Sequence, residues 1–227
     1  MKNILARGGI EFIAVLLGIS GSLWIDDWST SRSDISEEYS AYVRLSRAME
    51  QDIVNLEQEL KNNNKMVEVI NYLINNINDI EADSLALYID QTQSYVTLMP
   101  QLSDYEALKN TGKLYKISDF DLLQKIIDLY DIKYGEIDRL MVEDKRAIFM
   151  QDEFFIQNYA MKPAKKWTTL KDAKADLNRI KLDKVYMNYL VFMYKVKMQV
   201  NERWATLIED IKIVKNEIDL KNQNKVS

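Results

Sequence analysis

The side chains of this chain that could do chemistry are acids. Asp152 and Glu153 stand next to each other, and a carboxylate pair can serve acid–base hydrolysis, while clusters among the 35 Asp and Glu residues could hold a cation. Glu11 lies inside an apolar run, where a carboxylate can act as an ion or proton relay. Histidine and cysteine are both absent. That excludes imidazole–zinc sites, thiolate clusters, Cys or His nucleophiles and the Glu-x-x-His di-iron bundle. So many acids on helical surfaces produce adjacent pairs by chance, and charges beside a hydrophobic seam usually form a solvated face. The expectation is therefore a protein that is not an enzyme, with no catalytic residues, no metal and no cofactor. The net charge of −5 argues against a nucleic-acid partner, because phosphate contacts need a field of the opposite sign.

The elements that carry these residues begin with an apolar segment, Gly8 to Trp28. As a helix, Gly8 to Ile25 spans about 27 Å, close to the thickness of a hydrocarbon core. Lys2 and Arg7 precede the run and Asp26 and Asp27 follow it, so the positive-inside tendency predicts a cytoplasmic stretch 1–7, a transmembrane anchor 8–28 and an extracytoplasmic remainder. Trp24 and Trp28 suit an interfacial belt at the exit. A cleaved signal peptide is the competing reading, with Ser20 and Ser22 as small residues at processing spacing. Ala14, Gly18 and Ser22 recur every four residues and share a face on which two membrane helices can approach closely. Glu11 lies about 4.5 Å along the axis from Gly8, within reach of cytoplasmic headgroups or of Arg7 one turn earlier, and a relay role would need greater depth and a partner.

Six glycines and two prolines in 227 residues are too few for a turn-rich β fold and point to long helices. Three hydrophobic seams alternate at spacings of three and four. The first runs from Tyr39 through Met49, Leu56 and Asn63 to Ile77, passing straight through "KNNNK", where Asn63 either fixes register or marks a local break. The second runs from Leu123 through Tyr130, Tyr134, Asp144 and Gln151 to Phe155, and the third from Tyr186 through Lys197 and Trp204 to Ile218. The fold expected is all-α: the N-terminal transmembrane helix, then an elongated antiparallel bundle over 29–222. Its long helices cover about 35–79, 118–160 and 182–222, and a polar tail follows at 223–227.

Short helices are expected in the link, at Ser84 to Gln91 and Asp104 to Thr111. Ser103 with Glu106, and Ser118 with Asp121, read as capping boxes; Ile117 with Leu122 reads as a staple, and Gly112 as a helix stop. Gly135 is either a kink or a tolerated small residue. If the second long helix returns toward the membrane, the basic loop Met161 to Lys181 comes back to the bilayer, where Lys165, Lys166 and Trp167 would meet anionic headgroups.

The apolar opening with its early glutamate and exit tryptophan, followed by "SDYEALKNTGKLYKISDFDLLQKIIDLYD", resembles an uncharacterised family of bacterial single-pass membrane proteins. The residues that carry the likeness are Tyr105, Glu106, Leu108, Gly112, Leu114, Ile117 and Tyr130. It covers the anchor and the middle of the chain, departs from the family at Ser29 and Thr30, and implies an architecture without an activity. Together these readings predict a membrane-anchored helical scaffold or interaction module of the bacterial envelope, located in the inner membrane. Its partners would be the membrane and either a second copy or another envelope protein. The alternatives are an extracytoplasmic ligand-sensing module or an accessory subunit of a membrane complex.

Overall fold

The computed structural model describes the backbone of residues 2–95, 97, 99–159, 162–163, 168–169 and 174–226, and the side chains over 16–95, 97, 99–159 and 177–223. The fold is all-α apart from a two-residue antiparallel bridge. Helix α1 runs Lys2–Asn76, α2 Ala82–Thr92 and α3 Leu102–Asn110; a 3₁₀ turn Lys113–Lys116 leads to α4 Phe120–Ile127. A π-helical turn Asp128–Lys133 joins α4 to α5 Tyr134–Asn158. The bridge of β1 Lys162–Pro163 with β2 Thr168–Thr169, then α6 Lys174–Ile180, precedes the last helix, α7 Lys184–Val226.

Helix α1 is a single element of 75 residues, about 110 Å long. No glycine or proline stands between Gly21 and Pro100, so nothing interrupts it at the end of the apolar run. It also passes through Lys61 to Lys65 without a break, because Asn63 is fully buried and donates to the Lys197 carbonyl (3.1 Å) and to Asn201 Oδ1 (2.5 Å). It ends where Asn75 and Asn76 turn their amides back on the carbonyls of Asn71 and Tyr72. Among the described residues no helix is long and apolar enough to cross a membrane. The side chains of 8–15, the first part of the expected anchor, lie outside the described residues.

Cross-helix pairs give the directions. Ser46 meets Asp219, Glu50 meets Lys215 and Glu57 meets Lys212, so α1 and α7 are antiparallel. Asp119 meets Lys221, Lys133 meets Asp210 and Asp144 meets Lys197, so α4 and α5 are antiparallel to α7 as well. Consequently α1 and α5 run parallel, as the pairs Glu38 with Ser118 and Asp52 with Tyr134 require. This corrects the expected chain path. The link from α1 to α4 travels back along the rod instead of turning tightly, laying α3 and the 3₁₀ turn beside the first half of α1. Tyr159 and α6 are therefore at the far end of the rod, where Tyr159, Leu177 and Ile180 share a core with Ile77 and Ile80.

All ten positions of the third seam are buried, with Trp204 fully enclosed. The core consists of two hydrophobic clusters. One surrounds Leu45, Leu56, Ile126, Ile137, Trp204 and Ile211; the other surrounds Ile70, Leu73, Ile148, Phe155, Tyr186 and Leu190. Between them lies a buried polar layer of Asn63, Asp144, Lys197 and Asn201.

Local signals differ from expectation in several places. Ser103 lies inside α3, whose N-cap is Gln101 without a side-chain cap. The cap of α4 is Asp119, which accepts from Leu122 N at 3.0 Å, because Glu38 takes both the N–H and the hydroxyl of Ser118 at 2.8 Å. Gly112 does stop α3, in a left-handed conformation with φ 72°. The irregularity in the second long helix is the π turn just before Gly135. Residues 174–180, expected within a loop, form α6, and α7 continues through the expected tail to Val226.

Candidate functional site

The residues of the Tyr-Glu-x-Leu segment and of the second seam meet where α3 crosses the π turn. Helix α3 carries Tyr105 and Lys109 on successive turns, and Gly112 reverses the chain after it. Asp119 caps α4, and the π turn then presents Tyr130 and Asp131 toward α3. A π turn inserts an extra residue per turn and re-aims the side chains on it, a device common at functional sites. Tyr105 and Tyr130 stack with centroids 4.4 Å apart and planes 6° from parallel, and Tyr134 follows at 5.4 Å.

Beneath this stack lies Asp52, fully buried. It accepts from Gln101 N at 2.9 Å and from the Tyr134 hydroxyl at 2.5 Å. Burial pushes its carboxyl above the usual aspartate range, while the two donors pull the other way. Burial, followed by the Asp52 charge, holds the Tyr134 phenol well above the ordinary tyrosine value; burial leads for Tyr130 too, which also feels Asp52. At the surface, Lys109 Nζ is 2.5 Å from Asp131 Oδ2 and 5.4 Å from the Tyr105 ring centroid. Arg44 fixes α3 to α1 through Asp104, with Nε at 2.9 Å and Nη2 at 2.6 Å from one oxygen. The cleft above the stack has a volume of about 410 Å³ and is lined by Tyr105, Tyr130, Glu106, Lys109 and Asp131 among others.

The second polar constellation is the layer at mid-rod. Lys197 Nζ lies 2.8 Å from both Asp144 oxygens and donates to the Ser94 carbonyl at 3.0 Å. Burial lowers the Lys197 ammonium below the usual lysine range, and Asp144 opposes that shift. Asn201 continues the layer by donating to Asn64 Oδ1 at 2.7 Å. The Lys197 and Asp144 side chains are fully inaccessible, and the pair serves to fix which residues face each other across the rod. Between the two constellations, only the cleft is both aromatic and open to a ligand.

The residues singled out in the sequence do not come together. Asp152 is half-buried, with its carboxyl raised by burial, whereas Glu153 is exposed and accepts from Gln157; as neighbours on one helix they point about 100° apart. Gly18 and Ser22 are exposed, and the Ser22 hydroxyl is returned to the Ile19 carbonyl at 2.9 Å. The side chains of Glu11 and Ala14 lie outside the described residues, as do Lys165, Lys166 and Trp167. Among the described residues no group of three or more acids is placed to hold a metal ion.

Two buried acids escaped the sequence reading. Glu38 and Asp52 stand one position from the first seam, on a wider face that also buries Ala41, Leu45 and Ala48. Those three small or apolar residues beside the seam are the signal that a second element covers this face of α1. No protein-family model, curated protein or solved structure matches this chain.

Proposed function

We propose that the chain is a membrane-anchored helical rod that acts as a scaffold or protein-interaction module, without catalysis of its own. The observation that supports this reading is the continuity of α1. One helix carries the apolar run of 8–28 directly into the bundle core, and residues 22–33 of it are all exposed. Leu16, Leu17, Ile19, Leu23, Trp24 and Ile25 each stand more than half exposed on that extension. An apolar helix projecting from a folded rod is unfavourable in water at about 25 cal/mol per Å² of exposed apolar surface, and lipid removes that penalty. The Arg32 guanidinium lies 4.6 Å from the Trp28 ring centroid, a pairing suited to the headgroup level.

In this reading the first residues are cytoplasmic and the bundle lies on the other side of the inner membrane, available to a second copy or to another envelope protein. Alkaline extraction of membranes should leave the full chain in the pellet, and its release into the supernatant refutes the anchor. For orientation, single cysteines placed by Ser94→Cys and Ser227→Cys should both react with a membrane-impermeant thiol reagent in intact cells. Protection of both until lysis would invert the topology.

A further inference from the structure

We propose that the cleft between α3 and the π turn is a binding site for a small alkylammonium ion, and that the chain's own Lys109 fills it in the free protein. The argument starts from what already sits there. The Lys109 ammonium lies over the Tyr105 ring and against the Asp131 carboxylate, with Glu106 lining the same cleft. An aromatic face combined with carboxylates is the arrangement by which proteins hold organic cations. The ring is well prepared for this, since Tyr130 is stacked behind it and the π turn fixes that stack.

Lys109 is a weak occupant. Its side chain and that of Asp131 are 39% and 37% exposed, so solvent screens the pair and it holds the lysine only weakly. A free cation with an apolar body can take its place while Lys109 swings into solvent. Tyr130 supports that ring from within: its side chain lines the cleft and stacks on Tyr105, while its hydroxyl is buried. A volume near 410 Å³ suits a small molecule. The site stands beside the middle of residues 44–52 of α1, roughly 30 Å along the axis from Trp28, beyond the reach of lipid headgroups if that residue marks the membrane surface.

The test uses the full-length chain in detergent, titrated with tetramethylammonium and n-butylammonium chloride at constant ionic strength, and read by calorimetry and by the ring resonances of Tyr105 and Tyr130. Saturable binding that sodium and magnesium chloride do not reproduce is expected. Lys109→Ala removes the internal competitor and should tighten binding about two- to fivefold, the range that a surface ion pair spans. Asp131→Asn should weaken it by at least as much. Both positions are exposed, and unchanged unfolding midpoints would show that the variants fold. The proposal is overturned if Lys109→Ala leaves binding unchanged or weaker, if magnesium binds equally well, or if neither wild type nor Lys109→Ala binds at all. Vesicles of phosphatidylcholine that shift the same resonances would also overturn the assignment to a soluble ligand.

Discussion

Lys197→Met removes a buried cation that three oxygen atoms of two neighbours use. The ammonium contacts both oxygens of Asp144 at 2.8 Å and the Ser94 carbonyl at 3.0 Å, and both charged side chains are fully inaccessible. Methionine fills a similar volume, so the loss is electrostatic rather than a cavity. Breaking a buried pair by deleting one partner costs about 3–5 kcal/mol, because the remaining charge keeps its desolvation penalty. For a chain of this size that corresponds to a fall of about 6–20 °C in Tm. The double replacement Lys197→Met with Asp144→Leu removes both penalties and should return to within about 1 kcal/mol of wild type, or exceed it. Denaturant unfolding of the detergent-solubilised chain, followed by far-UV circular dichroism, measures all three. The reasoning fails if the single variant costs less than about 1 kcal/mol, or if the double variant costs the sum of its singles, since a coupled pair must be non-additive.

Asp52 gives a prediction with a definite sign in pH. Its carboxyl is raised by burial, so the folded state binds the proton more readily than the unfolded one. The associated stability is fully present below the ordinary aspartate value and is lost as pH rises through the folded value. Asp52→Asn removes this opposing slope, so the stability of the variant relative to wild type should grow as pH rises through that window and its acid limb should be the steeper; parallel limbs in the two proteins would contradict the assignment. Gly112→Ala adds a methyl group that meets no atom within 4 Å, but does so at φ 72°. The cost is left-handed backbone strain alone, about 1–2 kcal/mol in equilibrium unfolding, and a neutral outcome would show that the turn relaxes.

What was legible in the sequence was what a straight helix repeats. The third seam could be read to its last residue because nothing in it breaks the three–four spacing, and even Lys197 appeared in its correct place there. The partner of Lys197 did not, since Asp144 lies on another seam and the pairing depends on how far the helices slide past each other. Direction was equally invisible. The link from 77 to 119 contains helices whose total length permits either a tight return or a path back along the rod, and periodicity does not distinguish them. The Ser118 cap failed for a related reason: a long-range acceptor, Glu38, outcompeted the local one. The cleft drew on Tyr105, Glu106 and Tyr130, all residues of the resembling segment, but neither the stack nor the π turn that makes it is written in their spacing.

The position of α7 between α1 and α5 has a consequence for biosynthesis. Ser46 and Asp219 are partners across 173 residues of chain, and the same is true in kind of every contact between the first and last helices. A ribosome working at about 5–20 residues per second delivers α1 on the order of ten seconds before the helix that covers it. During that interval the inward faces of α1, α4 and α5 have no central neighbour, and local closure cannot provide one. The nascent chain must wait, its apolar surfaces shielded by whatever the cell supplies, and assembly is completed only after α7 has left the ribosome.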